Sequence, residues 1–561
     1  MRLSWFRRRG ASATPNGPET GLPGDPSTTT DPRATTDPPT TTRRAGGRLW
    51  TWLRSLHPLL FAAYFVLFVF AQNLGEVELD DVAPVLLLAV AAALALLIAA
   101  TLLLRDPRRG ALVASAVVIV FFGYGHVANA LVAYRVPGFV QQGAWAAVFL
   151  LAIVVAVRAK ARLGQITSAL NAVATVLVVL SLVQVVPGQV SRTTAARAPS
   201  SFAIKAGAVP VGPQRDVWYL IFDRYASDRE LGAAYQIDSD LDDWLTGHGF
   251  YVAQDSQANY VKTSLSIASS LNLAYLDDVV KRMGPDSDDH GPIFAMMKDH
   301  VLGQFLKSQG YEFVQVGSPY GPTNVNEFAD RNPRVDSTSD FATAIYDTSV
   351  LPAVGRRLGL IKATPERQRY YDIARFQWAT VEKLAADTDD TRPKLVFCHF
   401  LLPHPPYVFA ADGSFVAEDK NPRDVAANYG PQLQYTNAQI KALMTTLLTV
   451  PEAQRPIILL QADEGPYPAR YNANTLTFDW STATDAEIRM KYGILDAYYL
   501  PGVTTTGLYP SITPVNSWRL ILGDYFGTDT PLLPDRMYTS RGKFRPYDMT
   551  DVTSRLTPPP P

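Results

Sequence analysis

The chain of 561 residues has one cysteine, Cys398, so it has no internal disulfide. That thiol lies in the apolar run "LVFCHFLL" and reads as a buried, inert group rather than a nucleophile. Net charge is also missing: 51 Lys plus Arg against 52 Asp plus Glu give −1. Without a basic field the composition offers no footprint for nucleic acid. Residues 11–47 have few large apolar side chains and are rich in Pro, Thr, Gly and Ser. Such a stretch cannot bury enough surface to offset chain entropy, and disorder is expected there.

Charge is sparse again in residues 57–190, a mostly apolar block in which four long runs have none. Val82 to Leu104, Gly110 to Tyr134, Val136 to Val157 and Leu163 to Val190 contain no Asp, Glu, Lys or Arg. Each is long enough for a hydrocarbon core, which takes ~20 helical residues. A shorter run, Pro58 to Leu74, follows Leu49, Trp50, Trp52 and Leu53. Five spanning helices are therefore expected. The first apolar run starts too late for a cleaved signal peptide. Arg2, Arg7, Arg8, Arg9, Arg43, Arg44, Arg48 and Arg54 precede the first span; Glu76, Glu78, Asp80 and Asp81 follow it. Arg105, Arg108 and Arg109, then Arg158, Lys160 and Arg162, mark two further basic loops. Basic loops stay in the cytoplasm, which puts the N-terminus inside and everything after about residue 190 outside. The spans hold few polar groups, among them His126, Asn129 and Asn171, too few for a transport pathway. His126 reads as a helix–helix contact.

The expected organisation is a tail (1–48), a five-helix membrane domain (49–190), a linker (191–215), an exported domain (216–540) and a C-terminal tail (541–561). In the exported domain apolar runs alternate with amphipathic stretches, the mark of an α/β domain with a largely parallel sheet. "VWYLIFD" ends at Asp223, "LVFCHFLLPHPPY" leads to His404, and "IILLQADEG" ends at Asp463 and Glu464. "YGILDAYYLPG" is a further strand candidate. Ligands in such sheets bind beyond the carboxyl ends of the strands, so these residues converge. Adjacent carboxylates at the end of a core strand repel and lose hydration, unless they splay into solvent or share a cation.

The fourth element is "NYVKTSLSIASSLN", with Lys262 and Thr263 at a helix N-terminus, where anions and N–H donors meet. Each residue also has a plain structural reading: Asp223 and Thr263 as caps, His404 as a loop hydrogen-bonder, Asp463 and Glu464 as a solvated pair. His399, within the strand, reads as a satisfied core histidine or a group behind the ligands. Three carboxylates and a hydroxyl form an all-oxygen shell, which suits Mn²⁺ or Mg²⁺ more than Zn²⁺.

Taken in order, "DVWYLIFDRYAS", "NYVKTSLSIASSLN", "FCHFLLPHPPYVF", "ILLQADEGP" and "LYPSITPVNSWRLILGDYFGTD" resemble the sulfatase-like, alkaline phosphatase superfamily over about residues 216–540. Five spans before an exported domain also resemble the lipoteichoic acid synthase arrangement. The resemblance implies an α/β/α sandwich with one or two divalent metals. It implies Asp223, Asp463 and Glu464 as ligands, Thr263 as ligand and nucleophile, and His404 as a substrate contact. Lys262 and His404 would stabilise transition-state charge. It further implies phosphoryl-type transfer or hydrolysis on membrane lipid headgroups or envelope glycopolymers. The chain departs from the family in two places. Asp463-Glu464-Gly465 stands where the family has Asp-His-Gly, which removes imidazole's preference for Zn²⁺. The Cys/Ser-x-Pro-x-Arg motif is absent around Thr263, and threonine cannot become formylglycine. Sulfate ester hydrolysis and a non-catalytic binding role are the alternatives.

Overall fold

The structure is a computed structural model. It describes residues 55–74, 77, 79–131, 136–158, 163–195, 204, 211–335, 339–360, 365–387, 392–419, 424–475, 477–504, 507–542 and 545–556. The expected N-terminal tail and most of the linker lie outside the described residues, as do all the arginines before the first span.

Five apolar helices open the described chain: α1 (His57–Gln72), α2 (Leu79–Leu104), α3 (Pro107–Leu131), α4 (Gly138–Arg158) and α5 (Leu163–Ala195). Four of them, α2 to α5, are long and apolar enough to cross a membrane. The first, α1, has 16 residues and spans about 24 Å at 1.5 Å per residue, short of the ~30 Å hydrocarbon core. The expected count of five spans is thus approximate. Yet α1 is deeply packed, with Ala62, Val66 and Phe70 fully buried, whereas Leu87, Leu88, Leu102 and Leu103 of α2 are exposed. Leucines left bare over whole helix faces fit a lipid surround. His126 stacks on Phe65 and meets Phe68 edge-on, a contact between α1 and α3.

Beyond residue 211 a six-stranded sheet forms from β1 (Val217–Phe222), β2 (Tyr251–Val252), β3 (Glu312–Val316), β4 (Lys394–Phe400), β5 (Ile457–Gln461) and β6 (Asp496–Tyr499). The strand order is β2-β6-β5-β1-β4-β3. β5, β1, β4 and β3 run parallel, and β6 is antiparallel to both β5 and β2. All residues of β1, β4 and β5 are buried, so their alternating side chains serve two cores. Trp218, Leu220 and Phe222 join one core with Val396, Phe400, Ile458 and Leu460. Val217, Tyr219 and Ile221 join the other with Leu395, Phe397, Ile457 and Leu459. Helix α6 (Thr263–Asn272) packs in that second core through Leu265, Ile267, Ala268 and Leu271. Helices on both faces make the expected α/β/α sandwich. The chain past residue 540 is not a free tail: β7 (Tyr538–Gly542) pairs with β8 (Arg545–Asp551), and Tyr547 is buried in the second core.

The helix α7 (Asp340–Thr348) joins the two halves. Its Phe341 and Ile345 are buried in one cluster with Val66 and Phe70 of α1, Val82 of α2 and Phe122 of α3. The Phe341 ring meets Phe70 edge-on at 6.2 Å between centroids. Val350 N–H donates to Phe121 O at 2.8 Å. Gly125 permits this approach, since a Cβ there would lie 2.6 Å from the Thr348 backbone. These contacts fall near the C-termini of α1 and α3 and the N-terminus of α2, all at one end of the bundle.

Candidate metal centre

Sheet register brings the polar residues together. Ile221 lies opposite His399 on one side and Gln461 on the other. Asp223 and Asp463 each follow two residues later, at the carboxyl ends of β1 and β5. Counting by twos, Asp223, His399 and Asp463 share the face covered by α6. One ligand atom from each lies within 4.8 Å of the others, the one such group among the described residues. All three side chains are buried. The sequence reading gave Asp223 and Asp463 as ligands and His399 as either a satisfied core histidine or a group behind the ligands; its parity on β4 becomes legible only with the register.

Thr263 opens α6, with Lys262 as its N-cap in extended conformation. The Thr263 hydroxyl lies beside the Asp463 carboxylate and favours its charged form. Asp463 also accepts a long contact from Arg224 N–H at 3.4 Å. Thr263 is the first residue of the helix, and the N-cap position belongs to Lys262. Lys262 is one residue away, and its ammonium donates to Gly542 O at 3.0 Å.

Glu464 is buried beside Asp463, but one oxygen is taken. Lys491 Nζ lies 2.6 Å from Glu464 Oε1, and Arg224 Nε lies 3.6 Å from the same atom. Lys491 comes from α10 (Asp485–Tyr492), counting α8 (Pro365–Ala386) and α9 (Val425–Leu448) between. It also donates to Gly465 O at 2.9 Å. Gly465 is required there, because a Cβ would meet Met490 O at 2.3 Å. The Tyr467 ring lies under both cations, 3.4 Å from Lys491 Nζ and 4.1 Å from Arg224 Cζ. Arg224 is held at φ 61, a left-handed conformation costly for a side chain with a Cβ, while Tyr429 OH donates to its carbonyl. Sequence reasoning missed Arg224, Lys491 and Tyr467; only the adjacency of Arg224 to Asp223 was a signal.

His404 sits on the loop after β4, its Nδ1 against Pro405 O and its carbonyl accepting from Gln432 at 2.9 Å. Burial, and then Arg224, hold its imidazole well below the usual range, so it is neutral. Burial likewise lowers His399 to about 3 and Lys491 to about 8. Burial, then Glu464, pushes Asp463 up to about 7, and burial, then Asp463, raises Asp223 well above the usual carboxylate range. The site thus holds more buried negative charge than its own cations relieve.

A divalent metal fits these residues. Asp223 Oδ1, His399 Nε2, Asp463 Oδ2 and Glu464 Oε2 are buried atoms with no hydrogen-bond partner. Polar atoms stripped of water and left unpaired are costly, and a cation among them removes that cost. A cavity lined by Lys298, His300, Lys307 and Phe328 includes none of the site residues.

The family model described as Sulfatase matches residues 250–492, so this part of the chain is similar to that family. No curated protein sequence matches. Among solved structures, the C-terminal periplasmic domain of EptC from Escherichia coli is 13% identical, covering 63% of this chain and 96% of that one, at TM-score 0.40. The same domain in complex with Zn is 10% identical, covering 63% and 95%, at TM-score 0.38. The integral membrane lipooligosaccharide phosphoethanolamine transferase A from Neisseria meningitidis is 12% identical, covering 85% and 95%, at TM-score 0.39.

Proposed function

We propose that the chain is a membrane-anchored, metal-dependent phosphoryl-type transferase or hydrolase with Thr263 as nucleophile. Its substrates are lipid-headgroup or glycopolymer esters of the cell envelope, and its α/β domain lies outside a cytoplasmic N-terminus. Phosphoethanolamine transfer, the activity for which the Neisseria protein is named, belongs to this ester class. One observation carries the reading: the Thr263 hydroxyl, at the start of α6, lies beside the Asp463 carboxylate among ligand atoms without partners.

Asp223, Asp463 and Thr263 would hold the metal. When bound, a divalent ion lowers the pKa of a hydroxyl and neutralises phosphoryl oxygens. The Thr263 oxygen attacks phosphorus in line and loses its proton as the new O–P bond forms. The donor's O–P bond breaks, and the leaving oxygen takes up a proton and departs as an alcohol. An acceptor hydroxyl or water then displaces Thr263 from the phosphothreonine and restores the free side chain. N–H groups of the first turn of α6 face the incoming anion. Arg224 and Lys491 supply positive charge, while Lys262 remains on the Gly542 carbonyl. Neutral His404 orients substrate by hydrogen bonding.

The full chain, purified in detergent with Mn²⁺, Mg²⁺ or Zn²⁺, is tested on an aryl phosphodiester, a phosphomonoester and a sulfate ester. Thr263→Ala is expected to lose on the order of 10³-fold or more in rate, and Thr263→Ser to keep part of it. Phosphothreonine at Thr263 should be trapped by acid quench and seen by mass spectrometry. Full activity in Thr263→Ala would leave water as the attacking group. A second reading, ligand binding without turnover, is favoured by the Glu464–Lys491 pair, which occupies one expected ligand. Wild-type protein inert on all three esters would select it.

A further inference from the structure

The site combines two carboxylates with one imidazole, and the imidazole is set for a cation. Thr323 Oγ1 lies 2.9 Å from His399 Nδ1. The Thr323 hydroxyl also lies 2.6 Å from Ser318 Oγ and 3.3 Å from Tyr320 O, either of which can take its proton, so Thr323 is able to accept from Nδ1–H. With Nδ1–H donated to Thr323, Nε2, which has no hydrogen-bond partner, carries a lone pair. That lone pair faces Asp223 and Asp463. A protonated Nε2 would hydrogen-bond to Asp223, but the distance to Oδ2 is 3.8 Å, too long. A lone pair pointed at two carboxylates is repulsive unless a cation lies between them. Glu464 differs in two ways: Lys491 and Arg224 meet its Oε1, and, although its Oε2 has no partner, it is not among the residues whose ligand atoms converge within 4.8 Å.

We propose that His399, oriented by Thr323, is the nitrogen ligand of the metal, and that Glu464 stands outside the ligand shell as the counter-ion of Lys491 and Arg224. This rests on the metal-dependent reading above. It replaces the expected all-oxygen shell by a mixed one. Imidazole binds Zn²⁺ and Mn²⁺ in preference to Mg²⁺, so affinity should fall in that sense. The hydroxyl behind the imidazole fixes its orientation, and loss of such a partner typically costs 10–100-fold in metal affinity. Lys491 and Arg224, balanced by Glu464 in the resting site, are then held at the right place to receive a phosphoryl anion.

The test is spectroscopic and needs no turnover. Full-length protein is stripped of metal, loaded with Mn²⁺, and examined by pulsed electron paramagnetic resonance for ¹⁴N coupling. The wild type should show one imidazole coupling, which His404→Ala retains and His399→Gln loses. Zn²⁺ titration should show affinity reduced about 10–100-fold in Thr323→Val and unchanged within about threefold in Glu464→Gln. Wild type that binds metal without ¹⁴N coupling, or loses it in Glu464→Gln but not in His399→Gln, would overturn the assignment while leaving the metal-dependent reading in place. Wild type that binds none of the three metals would overturn both. The wild-type spectrum decides the matter even where a buried-histidine variant fails to fold.

Discussion

Lys491 Nζ and Glu464 Oε1 lie 2.6 Å apart, with side chains 0% and 1% exposed. A pair this deep gains from mutual attraction but has lost the hydration of both ions. The two residues come from different elements, α10 and the loop after β5, so the contact ties helix to sheet edge directly under the site.

Breaking this pair from one side should be costly. In metal-free protein Lys491→Met leaves Glu464 buried with only the more distant Arg224, and about 3–5 kcal/mol of stability should be lost. The double variant Lys491→Met/Glu464→Gln should recover much of that loss, because no uncompensated charge remains. Chemical denaturation of the four proteins of this cycle measures the coupling. Additive losses would show that the two ions act independently.

A second pair of groups governs pH dependence away from the metal. Burial raises Asp242 to about 7 and Asp228 to about 6, each then pushed further by neighbouring aspartates. Their folded values exceed the unfolded value of 3.8, so the folded state binds protons more readily. The stability they contribute is complete below about pH 4 and is lost as pH rises through 6 to 7. Asp242→Asn should therefore be more stable than wild type at pH 8 and nearly equal to it at pH 4. Thermal unfolding across that range reads the difference; an equal effect at both ends would place the Asp242 carboxyl in ordinary solvent.

Orientation follows from where α7 docks. Phe341 and Ile345 pack at the end of the bundle formed by the C-termini of α1 and α3 and the N-terminus of α2. The basic loop with Arg105, Arg108 and Arg109 lies at the other end, between α2 and α3. A reporter enzyme active only after export, fused after residue 195, is expected to be active, and the same reporter fused after Arg109 inactive. The reverse pattern would put the α/β domain in the cytoplasm and remove envelope esters as its substrates.

The sequence by itself determined much of this protein. Long uncharged runs can only be stable in lipid or a large core, so the membrane helices were legible, except that α1 proved shorter than a full span. Strands that end in Asp223 and Asp463 were legible because a hydrophobic run stopped by a carboxylate has few other readings. Thr263 was legible as a helix start from the small apolar residues behind it. Tertiary structure alone decided the rest. Whether His399 faces a core or a cation depends on β4 lying beside β1 in one register, and a shift of one residue would turn it to the other face. Which cation meets Glu464 depends on α10 returning to the Gly465 backbone, a contact between residues 26 apart in sequence. Buried charges are settled by the groups that surround them in space, and a chain's local pattern carries no record of those neighbours.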